Sequence, residues 1–360
     1  MDLHSLLKET TARGASDLHL VAGISPIIRI DGDLKALEEK SLTPEEIKSL
    51  IYSVISAEKI AQFEKSYELD FSFGVSGVGR FRTNVHVQRG SIAVAIRRLP
   101  DHIPSLSELN LPSILGELAL KQKGLILVTG PTGCGKSTTL AAMVGIINQE
   151  RPAHVITLED PIEYLYSHKK SVVEQREVGS DTLSFAESLK RCLREDPDVI
   201  LIGEMRDLET IATAITAAET GHLVLATLHT PDAPGAVDRC IDVFPSYQQP
   251  QIRTQLANTL QAVIAQILLP QNGRGKVPAV ELLIASSATR NLIRTGKSHQ
   301  LPTVMETGNQ LGMRTMDQAL KDLVKRDMVS YETAVVRVRN RTVFEKSLMY
   351  HGCFKPFHSF

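Results

Sequence analysis

Residues 130–138 carry the pattern of a phosphate-binding loop. They read Gly-Pro-Thr-Gly-Cys-Gly-Lys-Ser-Thr and so contain the G-x-x-x-x-G-K-[ST] motif. The glycines allow successive backbone N–H groups to point at one anion, and a helix that begins there adds the positive end of its dipole. In this pattern Lys136 reaches the β- and γ-phosphates of a nucleotide and the Ser137 hydroxyl binds Mg²⁺. The predicted nucleotide-binding residues are Thr132, Gly133, Cys134, Gly135, Lys136, Ser137 and Thr138.

Four acidic residues follow apolar runs farther along the chain. Glu204 comes directly after one run, and Glu159, Asp160 and Glu163 follow another. Ligands of open parallel sheets bind beyond the carboxyl ends of the strands, so these carboxylates are expected beside the phosphate loop. We expect Glu204 to hold Mg²⁺, directly or through water, with support from Glu159 and Asp160. Glu163 is expected to orient or deprotonate the attacking water; a solvated acidic loop is the alternative.

Two histidines flank a further apolar run. His229 follows its carboxyl end and is predicted to sense the γ-phosphate, whereas His222 precedes its amino end. Because the two ends of a strand lie at opposite edges of a sheet, His222 is expected far from the chemistry unless the chain bends. A structural and a functional role both stay open for His222.

Arginines are the remaining group expected in the chemistry, because phosphate-loop enzymes gain rate from an arginine placed on the transition-state charge, often by a neighbour. No arginine lies immediately beside the loop in the sequence of the second domain. Arg80, Arg82, Arg97 and Arg98 in the N-terminal part are therefore predicted to act across a domain or subunit boundary. The alternative is that they cover a solvated sheet face.

The elements that position these residues follow from the apolar pattern. An apolar run precedes the phosphate loop and apolar residues at helical spacing follow it, which predicts a buried strand and a helix on its two sides. The predicted strands are residues 125–129, 154–158, 199–202 and 223–228. Strands that are apolar throughout and alternate with amphipathic helices predict a parallel sheet covered on both faces. Residues 246–268 are predicted to form one long helix beyond this sheet.

A smaller α+β domain is predicted over residues 1–99. Thr43-Pro44-Glu45-Glu46 is the start of a helix, with a cap, a proline at the first position and a capping box. Three antiparallel strands are expected between residues 71 and 96. Residues 100–112, with two prolines at their beginning, are predicted to be a linker, and residues 113–360 form the α/β domain with its C-terminal helices.

Composition excludes several classes of protein. The net charge of −1 provides no basic field for nucleic acid. Four cysteines without a C-x-x-C pair argue against a zinc ribbon or a disulfide framework, which fits a reducing cytoplasm. No apolar run approaches the roughly 20 residues that span a bilayer, and the N-terminus lacks the basic and apolar regions of a secretory signal. Any membrane contact is therefore expected to be peripheral.

Taken together, the motifs resemble the PilT family of type IV pilus retraction ATPases, within the secretion ATPase superfamily. The resemblance covers roughly residues 1–328. It rests on the segments at 14–20, 130–138, 157–163, 196–204 and 217–229. It implies a RecA-like P-loop NTPase core with a PAS-like N-terminal domain. It also implies a homo-hexameric ring that hydrolyses ATP with Mg²⁺, in the cytoplasm at the pilus base, docked on the inner-membrane platform protein.

The same resemblance implies roles for individual residues. Glu163 corresponds to the catalytic glutamate, Glu204 to the Walker B acid, and the N-domain arginines reach a bound nucleotide. Two departures bear on function. Thr295 stands where the family's A-I-R-N-L-I-R-E segment has its acid. The aromatic tail after about residue 331 does not match the family; it is expected to fray, and packing on the core or contact with a partner are the alternatives.

Other functions stay open at this point. An accessory ATPase of the PilU type that works with a paralogous ATPase, or the motor of a plasmid-borne pilus, would carry the same motifs. A RecA-like nucleic-acid motor is disfavoured by the neutral charge and by the lack of a strip of basic and aromatic residues. A nucleotide-binding scaffold without turnover is disfavoured by the presence of both Glu163 and Glu204.

Overall fold

The computed structural model describes residues 2–30, 32–37, 40–100, 102–273 and 275–349. The chain divides into two units. One comprises Met1–His102 together with the short segment Pro161–Leu165, and the other comprises Ile103–Asp160 with the described residues from Tyr166 onward. The segment that carries Glu163 therefore groups with the N-terminal unit although it follows a strand of the other unit.

The N-terminal unit is built on a six-stranded antiparallel sheet with the order β3-β2-β1-β6-β5-β4. Three helices accompany it, and the capping box predicted at Thr43 and Glu46 is confirmed, since each side chain accepts from the other residue's backbone N–H at 3.2 and 2.9 Å. The elements are α1 (Leu3–Ala12), β1 (Asp17–Leu20), β2 (Ile27–Ile30), β3 (Asp33–Ala36), α2 (Pro44–Tyr52), α3 (Ala57–Ser66), β4 (Glu68–Val75), β5 (Gly79–Gln88) and β6 (Ser91–Arg98).

The two faces of this antiparallel sheet differ in polarity, because successive side chains point to opposite faces. Leu18, Val85 and Ile96 are fully or almost fully buried in one apolar cluster with residues of the helices. The opposite face carries a row in which Arg82 lies opposite Arg97 and Arg97 lies opposite Asp17. Arg82 and Arg97 therefore belong to the polar face of a half-buried sheet, as does Arg80 two residues before Arg82, whereas Arg98 lies opposite the buried Phe81.

The second unit is built on a seven-stranded sheet with the order β13-β12-β7-β11-β10-β8-β9. All neighbouring strands are parallel except β12 and β13. The elements up to the sheet centre are α4 (Ile114–Ala119), β7 (Gly124–Thr129), α5 (Lys136–Glu150), β8 (His154–Glu159), β9 (Val172–Glu177), α6 (Phe185–Cys192), β10 (Val199–Ile202), α7 (Leu208–Glu219) and β11 (Leu223–Thr227). Those that follow are α8 (Ala233–Asp242), α9 (Gln249–Thr259), β12 (Leu260–Pro270), β13 (Lys276–Ile284), α10 (Ser287–Arg294), α11 (Leu301–Thr307), α12 (Met316–Lys325), α13 (Tyr331–Val335) and α14 (Arg341–Met349).

The sheet is covered on both faces, as its uniformly apolar strands predict. Along β7, Leu125 and Leu127 belong to one buried cluster and Ile126 and Val128 belong to another. All four side chains are fully buried. The predicted fold class, an α/β core with a parallel sheet and a smaller α+β domain, is confirmed.

The prediction of one helix over residues 246–268 is wrong in its second half. Helix α9 ends at Thr259, and β12 begins at Leu260 and pairs with β7 and β13. Most residues of β12 are apolar, and residues 262–266 are buried without alternation, so a helical spacing can be read from this strand as easily as a strand pattern. Periodicity alone does not separate a strand buried on both faces from a buried helix.

The expectation of a frayed tail after residue 331 is also wrong for the part that the structure describes. Helices α13 and α14 pack on the sheet, and Phe344 and Leu348 are buried beside residues of β12, β13 and α12. The Arg339 guanidinium lies 2.8 Å from the Asp232 carboxylate and 3.5 Å from the fully buried Glu281 carboxylate. Residues 350–360, which include the aromatic end of the chain, lie outside the described residues.

Helix length also bears on membrane contact. The longest helix among the described residues, α5, has 15 residues. A bilayer crossing needs about 20 apolar residues, and no helix in the described ranges is long and apolar enough to cross a membrane.

We predict that Phe344→Ala destabilises the fold by about 3 kcal/mol, because truncating a buried phenylalanine removes apolar contacts and leaves a cavity. Phe344 is 2% exposed, whereas its neighbour Val343 is 60% exposed. Urea unfolding measures the change, and Val343→Ala, the matched control, should stay within about 0.5 kcal/mol of the wild-type protein. Equal stability of the two variants would contradict the packing of α14.

Candidate nucleotide-binding site

The phosphate loop connects the buried strand β7 to helix α5. Gly130, Gly133 and Gly135 have φ values of 140°, 76° and 88°, in the region that side-chain-bearing residues rarely adopt. At Gly130 space is also limiting, because a Cβ atom there would lie 2.2 Å from the Gln266 carbonyl oxygen. The loop can therefore take this shape only with glycine at these positions.

The remaining predicted loop residues lie where the motif requires them. Pro131, Thr132 and Gly133 are exposed at the tip, and Ser137 and Thr138 are half-buried in the first turn of α5. Cys134 is 3% exposed, and burial raises the pKa of its thiol. A buried thiol with a raised pKa is a poor nucleophile, so Cys134 acts as a small loop residue.

Lys136 is the first residue of α5 and is 9% exposed. Its ammonium donates to the carbonyl oxygens of Gly130 at 2.9 Å and Pro131 at 3.2 Å. It also lies 3.5 Å from Nδ1 of His229. An ammonium has three N–H donors, and these three acceptors lie within 3.5 Å of it.

His229 and Glu204 meet beyond the ends of β11 and β10. His229 Nε2 lies 2.9 Å from Glu204 Oε1. A lysine ammonium cannot accept a hydrogen bond, so the contact with Lys136 is a hydrogen bond in the tautomer whose Nδ1 accepts and whose Nε2 carries the proton. Nε2–H then donates to the Glu204 carboxylate, and a continuous chain of hydrogen bonds runs from Lys136 through His229 to Glu204.

Backbone contacts beyond the strand ends hold Glu204 in this place. The N–H of Gly203 donates to Leu158 of β8 at 2.7 Å, and the N–H of Met205 donates to Thr227 of β11 at 3.0 Å. The segment after β10 is therefore pinned between its two neighbouring strands. Asp207 then caps α7 by accepting from Thr210 N–H at 2.8 Å, so the chain turns away from the site three residues after Glu204.

Arg206, which the sequence reasoning missed, is the second partner of the Glu204 carboxylate. The bond with Glu204 raises the pKa of the guanidinium, and the charge of Asp160 adds to the effect. The side chain is 78% exposed while that of Glu204 is 19% exposed. The only signal in the sequence was its position two residues after the strand-end glutamate.

The acidic segment is divided between the two units. Glu159 ends β8, where its carboxylate accepts from Thr157 at 2.6 Å and from Gln175 at 3.2 Å. Asp160 belongs to the same unit, and Glu163 belongs to the segment that groups with the N-terminal unit. Strand β8 is three positions from β7 in the sheet, about 14 Å at the usual strand spacing. Glu204 is thus placed closer to the loop along the sheet than Glu159, and the roles of all four acids stay predictions.

The donor set limits what kind of metal site is possible. Among the described residues, no group of three or more His, Cys, Asp and Glu side chains is arranged to hold a metal ion. Mg²⁺ at nucleotide sites needs no such group, because it takes one or two protein oxygens together with phosphate and water oxygens. Ser137 and Glu204 provide a hydroxyl and a carboxylate of this kind.

The predicted arginines all lie in the N-terminal unit. Arg80 donates to Ser72 at 2.7 Å, and Arg82 faces Arg97 across β5 and β6. Arg97 donates to Asp17 at 2.8 Å. Burial acts to raise the pKa of Asp17, but hydrogen bonds from Ser16 and Arg97 outweigh it and lower that pKa below its usual range.

His222 lies at the amino end of β11, at the sheet edge opposite the phosphate loop, as its position in the sequence predicts. Its Nδ1 lies 2.9 Å from the Ala217 carbonyl oxygen and 3.3 Å from the Thr220 hydroxyl. These contacts close the end of α7 and give the ring a structural role.

Asn148 is a second residue that the sequence reasoning missed. It is 3% exposed near the end of α5 and accepts from Lys169 N–H at 3.0 Å while donating to the Ser167 carbonyl at 2.8 Å. The chain that follows the acidic segment is thereby fixed to the helix that begins at the phosphate loop.

Comparison with known proteins places these features in a family. The family model described as "Type II/IV secretion system protein" matches residues 2–282. The type IV pilus retractation ATPase PilT of Pseudomonas aeruginosa is 46% identical over 93% of this chain and 97% of its own length. The type IV pilus ATPase PilU of the same organism is 40% identical over 93% of this chain and 88% of its own length.

A solved structure shows the same fold. The crystal structure of the pilus retraction motor PilT with bound ADP superposes with a TM-score of 0.90 at 50% sequence identity. The match covers 96% of this chain and 99% of that chain. The similarity therefore includes both units and the phosphate loop.

We predict that the chain from Lys136 to Glu204 acts as one unit in nucleoside triphosphate hydrolysis. His229→Ala and Glu204→Ala should each slow hydrolysis by at least about tenfold, and the double variant should be little slower than either, because both changes break the same connection. Phosphate release at saturating nucleotide measures the rates. The control is the double variant with His229→Ala and the exposed His299→Ala, in which the two changes in rate should multiply. If the changes in rate of His229→Ala and Glu204→Ala also multiply, the two residues are not coupled.

Proposed function

The chain belongs to the type II/IV secretion system protein family, and from that membership we propose that it is an ATP-hydrolysing hexameric motor that powers type IV pilus retraction. The observation that carries the hydrolytic part is the connection from Lys136 in the phosphate loop through His229 to Glu204. Retraction in particular is supported by the similarity to PilT, which extends over 93% of the chain.

Nucleotide binding begins at the phosphate loop. The loop N–H groups and the N-terminus of α5 attract the phosphates, and Lys136 adds a full positive charge. Since its three N–H groups already have acceptors, Lys136 must release at least one of them to donate to a phosphate oxygen. If the released acceptor is His229, binding of the phosphate also changes the hydrogen bond between His229 and Glu204.

Mg²⁺ fits the remaining donors of the site. The Ser137 hydroxyl and the Glu204 carboxylate would hold it, with Glu159 and Asp160 acting through water. Glu204 can keep His229 and Arg206 as partners in this role, because a carboxylate accepts about four hydrogen bonds. When bound, the ion neutralises charge on the phosphates.

Hydrolysis also requires a general base and a cation that neutralises the developing charge. Glu163 accepts a proton from the attacking water, and one or more of Arg80, Arg82 and Arg97 reach the phosphates of a neighbouring subunit. Both groups belong to the N-terminal unit. A movement of that unit would therefore carry base and arginines together, so that hydrolysis depends on domain position.

Assembly and location follow from the family resemblance. The motor forms a homo-hexamer in the cytoplasm and docks on the inner-membrane platform protein at the pilus base, in peripheral contact with the membrane.

The retraction-specific part of the chain departs from the family at Thr295. Thr295 caps α10, and its hydroxyl donates to the Asn291 carbonyl at 2.9 Å. Arg290, on the preceding turn, donates to the Ala257 and Asn258 carbonyls at the end of α9. The helix is thus anchored by its arginine, and the threonine occupies an exposed end.

We predict that binding and hydrolysis separate in two variants. Lys136→Ala should lose both binding and hydrolysis, because no ammonium remains to neutralise the charge on the phosphates. Glu163→Gln should keep ADP affinity within about twofold and lose at least about 100-fold in hydrolysis, the usual contribution of general-base catalysis. A fluorescent ADP analogue measures binding, and phosphate release measures turnover.

The exposed Glu332 provides the matched control, since Glu332→Gln removes one carboxylate outside the site and should leave both quantities unchanged. Wild-type turnover in Glu163→Gln would show that another group activates the water. Unchanged ADP binding in Lys136→Ala would mean that the nucleotide binds elsewhere.

We predict that cells lacking this protein are piliated but do not twitch, because pilin would be added and never withdrawn. Electron microscopy counts the pili, and a subsurface agar assay measures motility. The wild-type gene should restore motility and Glu163→Gln should not. Bald cells would indicate an assembly motor instead.

An accessory function is the second candidate, favoured by the 40% identity to PilU over the same share of the chain. An accessory ATPase would need its paralogue for turnover. Purified wild-type protein that hydrolyses ATP without a partner would favour the primary motor.

A further inference from the structure

Gln266 is a polar residue in the mostly apolar strand β12, and it lies against the phosphate loop. In the register of β12 and β7, Ala265 is opposite Thr129, so Gln266 is next to Gly130, where the loop begins. Its side chain is 1% exposed. Its Nε2 donates to the Cys134 carbonyl at 2.6 Å, and its Oε1 accepts from the Thr139 hydroxyl at 2.9 Å.

These partners leave one orientation for the amide. The Cys134 carbonyl is only an acceptor, so the NH₂ group must face it, and the Thr139 hydroxyl then donates to the other end. A buried amide that lost these partners would be costly. The pair of bonds therefore joins β12, the loop and the first turn of α5 in one fixed arrangement.

The bond to Cys134 also sets the direction of the next N–H group. In a trans peptide the C=O and N–H groups point in opposite directions. With the Cys134 carbonyl held toward β12, the Gly135 N–H points away from β12, toward the inner side of the loop. The Gln266 side chain fills the space on the outer side, where a Cβ atom on Gly135 would lie 3.3 Å from its Nε2.

Lys136 and Gln266 differ in what nucleotide binding requires of them. Lys136 must give up at least one acceptor to reach a phosphate oxygen. Both ends of the Gln266 amide are satisfied within the protein, by Cys134 and Thr139, and a phosphate on the inner side of the loop displaces neither bond. Gln266 can therefore hold the loop in the same shape while Lys136 exchanges a protein acceptor for a phosphate oxygen.

We propose that Gln266, held by Thr139, is a positioning residue that keeps the phosphate loop in its binding shape by fixing the Cys134 carbonyl. This inference rests on the proposed nucleotide function and adds to it a residue from outside the loop. Because the loop N–H groups contact phosphates that ADP and ATP share, the effect falls on the affinity for both nucleotides.

Gln266→Met tests the proposal, since methionine has nearly the same length and volume but cannot donate to the carbonyl. The dissociation constant of a fluorescent ADP analogue should rise about tenfold, the usual result of losing one or two hydrogen bonds. The KM for ATP should rise by a similar factor, while kcat at saturating ATP stays within about threefold.

The matched control is Gln261→Met on the same strand. Gln261 also donates to a backbone carbonyl, that of Lys123 at 3.2 Å, but at the opposite end of β12 from the loop. The Gln261→Met variant should bind the ADP analogue with the affinity of the wild-type protein. Melting temperatures without nucleotide should be compared for both variants, so that a change in affinity is not confused with a loss of fold.

A second pair of variants, at Thr139, tests the proposal if Gln266→Met does not fold. Thr139→Val removes the hydroxyl that orients the amide and should weaken ADP binding about threefold, whereas Thr139→Ser keeps the hydroxyl and should restore wild-type affinity. Unchanged ADP affinity in Gln266→Met, or equal affinity in Thr139→Val and Thr139→Ser, would overturn the proposal. Failure of the wild-type protein itself to bind ADP would overturn the proposed function and this inference with it.

Discussion

The close approach of β12 to the beginning of the phosphate loop is the constraint on which the site depends. The Gln266 carbonyl occupies the space of a Gly130 side chain, and the Gln266 amide holds the Cys134 carbonyl. Backbone N–H groups can converge on a phosphate only if the carbonyls between them point away. Strand β12 fixes the loop at Gly130 and at Cys134, and so supports an arrangement in which N–H groups point inward and carbonyls point outward.

From this loop, contacts extend along the carboxyl edge of the sheet. Lys136 after β7, His229 after β11 and Glu204 after β10 form one chain of hydrogen bonds across three adjacent strands. A second route leads to the C-terminal helices, because Thr129 donates to the Thr230 carbonyl at 2.7 Å. Two residues later, Asp232 pairs with Arg339. A change at the phosphates thus has connections both to Glu204 and to the C-terminal helices.

Much of this arrangement is predictable from sequence because it is local. The glycines, Lys136 and Ser137 of the loop lie within nine consecutive residues, and the apolar run before them predicts a buried strand. The position of Glu204 follows from the rule that ligands bind beyond the carboxyl ends of parallel strands. His229 and His222 are assigned to opposite sheet edges by the same reasoning.

What could not be predicted depends on contacts between distant residues. Gln266 and Cys134 are 132 positions apart, and no local pattern marks one glutamine in an apolar run as a partner of the loop. The same run predicts a helix, because a strand buried on both faces lacks the alternation that distinguishes it. The packing of α14 was missed because the burial of Phe344 depends on β13 and α12, which precede it by many residues.

A crystal structure with a non-hydrolysable ATP analogue tests the central claim most directly. The account predicts that the Lys136 ammonium leaves at least one of its three acceptors and lies about 3 Å from a β- or γ-phosphate oxygen, with the Gln266 bond to Cys134 unchanged. A nucleotide bound away from residues 130–138, or a Lys136 that keeps all three acceptors in the presence of the analogue, would contradict it.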